Sequence, residues 1–186
     1  MGIVVQKFGG TSVASEESRA MLVAKVIEAR HDGKDVVVVV SAMGRKPAPY
    51  ATDTLLDFVL SVCRAAPARE RDAIDACGAI ISTVVVAAAL EAAGCPAMSL
   101  TGAQAGISTD GNYTDARITK IEPRRILEAL SDGKVAVVAG FQGVTETGDV
   151  TTLGRGGSDT TAAALGATLG AEIVEIYTDV EGVMTA

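Results

Sequence analysis

Val36-Val37-Val38-Val39-Val40 is an unbroken β-branched run, and it limits the folds open to this chain. A strand with one wet face alternates apolar and polar residues, whereas a strand covered on both faces does not need to. The run therefore predicts a central strand sandwiched between helices. The rest of the sequence alternates in the same sense, with strands expected at Ile3–Gln6, Asp35–Val40, Ala97–Leu100, Val135–Gly140 and Glu172–Thr178. Between them, helices are expected at Glu16–His31, Thr52–Ala65, Ala68–Ala93, Pro123–Ser131 and Asp159–Leu169. The fold class is α/β, with a mostly parallel sheet and helices on both faces. Turn chemistry at Asp110-Gly111 and Thr147-Gly148 predicts hairpins at the rim of that sheet.

Two glycine-rich loops carry the chemical signal. Lys7-Phe8-Gly9-Gly10-Thr11-Ser12 follows the apolar Ile3-Val4-Val5 and leads into a helix that Ser15 can cap, with Glu16 and Glu17 in its first turn. The second, Gly154-Arg155-Gly156-Gly157-Ser158-Asp159, opens an apolar helix that Ser158 or Asp159 could cap. Glycines allow close backbone approach, a helix start favours anions, and the guanidinium of Arg155 matches a carboxylate or phosphate. The second loop alone reads equally well as an ordinary helix entry, whereas a merely solvated lysine is a poorer reading of Lys7 between an apolar strand and two glycines. Together they suit phosphoryl transfer, in which an ammonium such as Lys7 offsets charge between donor and acceptor. Neither a Walker A spacing nor a strict Gly-x-Gly-x-x-Gly occurs, which removes the main support for P-loop and nicotinamide-binding readings. In a parallel sheet the ligand crevice lies beyond the carboxyl ends of the strands, so Lys7, Ser41, Thr101, Arg155 and Thr178 are expected to converge.

Other classes fit less well. A net charge of −7 without a Lys/Arg cluster argues against nucleic acid. Cys63, Cys77 and Cys95 lack metal-ligand spacing and read as reduced, mostly buried thiols. His31, the only histidine, sits at the polar end of a helix and does not suggest a triad or a zinc site. The apolar stretch Ala76 to Leu90 is interrupted by Ser82 and Thr83 and is expected to be a core helix, short of the ~18 to 20 residues a membrane span needs. No leader segment is visible before Lys7, so a cytoplasmic location is expected.

Six segments, in order, resemble the kinase domain of aspartate kinases within the amino-acid kinase family. They are Lys7 to Ser12, Val40-Ser41-Ala42-Met43-Gly44, Leu100-Thr101-Gly102-Ala103-Gln104-Ala105-Gly106, Val138-Ala139-Gly140-Phe141-Gln142-Gly143, Thr152 through Thr161, and Tyr177-Thr178-Asp179-Val180-Glu181-Gly182-Val183. The resemblance implies the family's sandwich fold over residues 1–186 and phosphorylation of the β-carboxylate of L-aspartate by ATP with Mg²⁺. That reaction is the first step toward lysine, threonine and methionine. It also implies catalytic roles for Lys7 and Asp159, and substrate contacts from Ser41, Thr52, Arg155 and Gly156. The nucleotide would meet Lys7, Gly9, Gly10, Ser12, Thr178, Asp179 and Gly182, with no protein-held metal. Read without the resemblance, Ser41 and Thr52 are equally well ordinary loop or N-cap hydroxyls.

Two departures accompany the resemblance. The family pattern has a glutamate where this chain has Ala79, in Cys77-Gly78-Ala79-Ile80-Ile81-Ser82, so the carboxylate expected to receive the substrate's ammonium is missing. Ala186 falls where the family continues through Asp-Pro-Arg to the rest of the nucleotide pocket and regulatory ACT domains. The chain is thus expected to be the N-terminal part of a kinase domain, with oligomerisation a property of full-length relatives. Alternative readings are a kinase acting on another carboxylate, carbamate or nucleotide acceptor, and a non-catalytic domain that binds ligand or partner without turnover.

Overall fold

A computed structural model describes residues 2–178. In chain order the elements are β1 (Ile3–Phe8), α1 (Thr11–Ala14), α2 (Glu16–His31), β2 (Asp35–Val40), α3 (Thr52–Val62), α4 (Ala68–Ala92), β3 (Ala97–Leu100), β4 (Ile107–Thr109), β5 (Ile118–Ile121), α5 (Arg124–Ser131), β6 (Val135–Ala139), β7 (Gln142–Val144), β8 (Val150–Thr152), α6 (Gly157–Leu169) and β9 (Ile173–Tyr177). Five strands form a parallel sheet in the order β3-β6-β2-β1-β9.

The valine run is fully buried, and its period of two splits it between two cores. Val37 and Val39 join Val5, Ala136 and Val138 beneath Ile126 of α5 and Leu165 of α6. Val36, Val38 and Val40 pack on the opposite face with Leu22 and Val26 of α2 and Val86 and Leu90 of α4. Each such valine contributes about 1.5 to 3 kcal/mol by leaving water. β2 is therefore the axis of the domain, and β1 beside it shares that rigidity.

The hairpins expected at the rim instead make a second sheet of four strands, β5-β4-β7-β8. β7 and β8 pair antiparallel across the Thr147-Gly148 turn, and β4 joins β7 through a parallel bridge. Nothing in the local periodicity announces that parallel bridge, because it joins strands of three residues each.

α4 links the two sheets. The carboxylate of Asp72, fully buried, accepts from the backbone N–H of Thr114 and from both the N–H and hydroxyl of Thr152. Gln142 Nε2 donates to the Ala76 carbonyl at 2.9 Å. By length and composition this helix is in fact apolar enough to cross a bilayer, since Ser82 and Thr83 interrupt it less than expected. Half of its most apolar window is buried in the fold, and Ser82 and Thr83 donate back to carbonyls of their own helix.

Several boundaries shift. β1 runs on to Phe8, carrying Lys7 into the strand, because Phe8 pairs with Val40 on one side and Tyr177 on the other. α3 stops at Val62, where Cys63 turns extended ahead of Pro67. α6 begins at Gly157 with left-handed Gly156 at its N-cap, so neither Ser158 nor Asp159 caps it. Ser15 does cap α2, accepting from Ser18 N–H at 3.1 Å. Of the three cysteines only Cys95 is buried; Cys63 is exposed and Cys77 partly so.

Candidate active site

Lys7 lies at the carboxyl end of β1, in the middle of the sheet, and is only 8% exposed. Its ammonium meets Asp159 Oδ1, in the first turn of α6, at 2.8 Å. A lysine held between two strand ladders has little freedom, so this ion pair fixes the charge in both position and direction. Ser41, just past β2, donates to Ser158 Oγ at 2.9 Å and ties the second strand end to the same helix turn.

Two cavities meet at Lys7. The first, about 350 Å³, is lined by Lys7, Gly9, Gly10, Thr11, Ser41, Gly44, Arg45, Thr52 and Thr178 among others. Gly10 is indispensable there: a Cβ would stand 2.5 Å from the Ala42 carbonyl oxygen, against backbone that cannot yield cheaply. The Gly10 carbonyl also accepts from Gly44 N–H at 3.0 Å, which locks the two loops together. This cavity is polar and largely walled by loop backbone, with the Lys7 ammonium at its base and Asp53 also in its lining.

The second cavity, about 300 Å³, shares Lys7, Ser41, Ala42 and Thr52 with the first and adds Ala79, Phe141, Arg155, Gly156, Ser158 and Asp159. Gly156 adopts φ +77°, the left-handed conformation that turns the chain from β8 into α6. Arg155, exposed beside it, stands at the start of a helix of 13 residues, where a planar guanidinium and the helix N-terminus both favour anions.

The expected residues distribute unevenly. Lys7, Gly9, Gly10, Ser41, Thr52 and Thr178 line the first cavity, and Lys7, Ser41, Thr52, Arg155, Gly156 and Asp159 the second. Thr52 is the first residue of α3, whose N-cap is Ala51, so its hydroxyl is not a cap. Ser12 turns instead toward a neighbouring apolar cavity with Phe8, Met21, Leu22 and Tyr177. Thr101 does not join the cluster, because β3 lies at the sheet edge and its hydroxyl accepts from Gln104 N–H. Arg155 arrives from β8 of the second sheet rather than from a strand of the first. Asp179 and Gly182 lie outside the described residues.

One lining residue carried no sequence signal. Phe141 has φ +69°, held by its N–H on Thr161 Oγ1 and its carbonyl on Leu153 N–H. A non-glycine residue in that region costs of order 1 to 3 kcal/mol and tends to occur at binding sites.

Comparison with known proteins agrees with this geometry. The chain is 53% identical over 186 residues to Aspartokinase 1 of Bacillus subtilis, matching all of this chain and 46% of that protein. It thus spans less than half the length of this curated relative. The aspartate kinase of Synechocystis superposes with a TM-score of 0.80 at 40% identity, over 97% of this chain and 28% of that one. Aspartokinase III of E. coli, solved in complex with aspartate and ADP, also gives a TM-score of 0.80, at 25% identity over 97% of this chain and 50% of its own. The amino acid kinase family model matches residues 2–186, and with the paired cavities around Lys7 this establishes that the chain belongs to the amino acid kinase family.

Proposed function

We propose that this chain is the N-terminal part of an aspartate kinase domain and takes part in transfer of the γ-phosphoryl group of ATP to the β-carboxylate of L-aspartate. The observation that carries the reading is the Lys7–Asp159 pair at the junction of the two cavities. The first cavity takes the nucleotide phosphates and the second the amino acid. Arg155 then holds the α-carboxylate, and the β-carboxylate points at Lys7.

The chemistry asks for positioning and charge. One carboxylate oxygen forms a bond to the γ-phosphorus while the bond from that phosphorus to the β,γ-bridging oxygen breaks, its electron pair leaving with ADP. An ionised carboxylate has no proton to remove, so no general base is required. The Lys7 ammonium offsets the charge that gathers between two anions, and Asp159 keeps it aimed. Mg²⁺ bound with the nucleotide would supply further neutralisation of charge. Among the described residues no group of three or more His, Cys, Asp or Glu is placed to hold a metal. Acting in the cytoplasm and assembling with further copies belong to the same proposal for the full-length protein.

A domain that binds without turnover is the second reading, and the Ala79 methyl in the wall of the amino-acid cavity favours it. Trapping acyl phosphate with hydroxylamine in the presence of aspartate, ATP and Mg²⁺ separates the two. The phosphotransfer reading expects aspartate-dependent hydroxamate that disappears with Lys7→Ala. ATP and aspartate binding without hydroxamate would replace it with the second reading.

A further inference from the structure

The amino-acid cavity is well provided for anions and poorly for a cation. Its only acidic lining residue is Asp159, whose Oδ1 is held by Lys7. An α-amino acid also brings an ammonium, which needs a counter-charge once it leaves water. Among the described residues, the carboxylate oxygens sealed from solvent without a hydrogen-bond partner are Asp159 Oδ1 and Asp75 Oδ1. Only the second has no ion pair to answer for it.

Asp75 is nine-tenths buried on α4, one turn before Ala79 and on the same inward face. Residues four apart on a helix have Cβ atoms about 5–6 Å from each other. Helical side chains lean toward the N-terminus, so a long residue at 79 would lie over position 75. Ala79 lines the cavity and Asp75, one turn back along α4, does not; at 79 the helix presents only a methyl there. Asp72, the nearest acid on the helix, has its oxygens engaged by Thr114 and Thr152 and cannot relieve its neighbour. Burial and the Asp72 charge push the Asp75 carboxyl up to about 6, Arg71 pulls the other way, and Asp53 of α3 adds a smaller upward push.

We infer that Asp75 supplies the counter-charge for the substrate's ammonium and so determines that the ligand is an amino acid rather than a simple dicarboxylate. The inference rests on the phosphotransfer reading of the second cavity. A ligand ammonium lying against the Ala79 methyl gives the orphaned carboxylate the partner it lacks, and one buried charge answers another.

Calorimetric titration of the chain with L-aspartate and with succinate, the same dicarboxylate without the ammonium, tests it. Unaltered protein prefers aspartate. Asp75→Asn weakens aspartate by about ten- to hundredfold, the scale of one charge-assisted bond, and leaves succinate unchanged. Ala79→Glu added to Asp75→Asn restores the preference for aspartate. Thermal unfolding of each variant, with Asp75→Leu as a second replacement, shows that the fold is intact. Equal weakening of both ligands, or an unchanged preference, overturns the assignment of Asp75 while leaving the cavity's reading in place. Failure of the unaltered chain to bind either ligand overturns the reading and this assignment together.

Discussion

Replacing Asp75 by asparagine is expected to stabilise the ligand-free fold at neutral pH and to lose that advantage in acid. Burial first, and Asp72 second, raise the Asp75 carboxyl from its ordinary 3.8 to about 6. The folded chain therefore holds this proton more tightly than the unfolded chain does. The corresponding stability is fully present below the unfolded value near 4, and it is lost as pH rises through about 6. Two units at ~1.4 kcal/mol each put the penalty at roughly 3 kcal/mol above that range. Asparagine removes the charge but keeps a polar group short of partners, at a cost of about 1 kcal/mol, so a net gain of about 1–3 kcal/mol remains. Urea unfolding of both chains from about pH 4 to about pH 8 measures it as a gap between midpoints that opens with pH at constant slope. Parallel curves at every pH, or an Asn variant less stable at the alkaline end, would refute the reasoning.

Asp72→Ala should destabilise by about 3 kcal/mol, since it strands the N–H groups of Thr114 and Thr152 and the Thr152 hydroxyl in the join between α4 and the second sheet. Urea unfolding reads the loss, and a cost below about 1 kcal/mol would mean that water replaces the carboxylate. Gly10→Ala forces a methyl against the Ala42 carbonyl oxygen at 2.5 Å, so it should cost about 1–3 kcal/mol and abolish ATP binding. Calorimetry that finds ATP bound as before would remove the Gly10 loop from the nucleotide site.

The parts of the fold that could be read from the sequence are those where one residue pattern decides the outcome. The valine run needs two covers and has them; Ser15 with Glu16 and Glu17 needs a helix start and makes one. The cavity glycines were visible because the turns they make exclude side chains. What escaped the sequence depends on long-range pairing. Lys7 belongs to the strand because Val40 and Tyr177 flank Phe8, a fact held in residues far along the chain. The short strands of the second sheet are too brief to show a period, and the placement of Phe141 in the left-handed region is imposed by Thr161 and Leu153. Asp75 illustrates the same limit: a polar residue on an apolar helix looks like a solvated edge until its neighbours are known.

The order β3-β6-β2-β1-β9 also has a consequence for biosynthesis. The first strand to leave the ribosome occupies an interior lane, and the neighbour that completes it is the last of the described strands, with Gln6 bonded to Glu175 across 169 residues. Until β9 has been translated, β1 keeps one ladder unpaired, and Lys7 lacks the flank that restrains it. Asp159 likewise emerges long after Lys7. A nascent or prematurely terminated polypeptide would therefore carry both halves of the β2 core yet present no organised ammonium to a nucleotide. Ligand capture then waits on α6 and β9, and it reports that the five-strand order has closed.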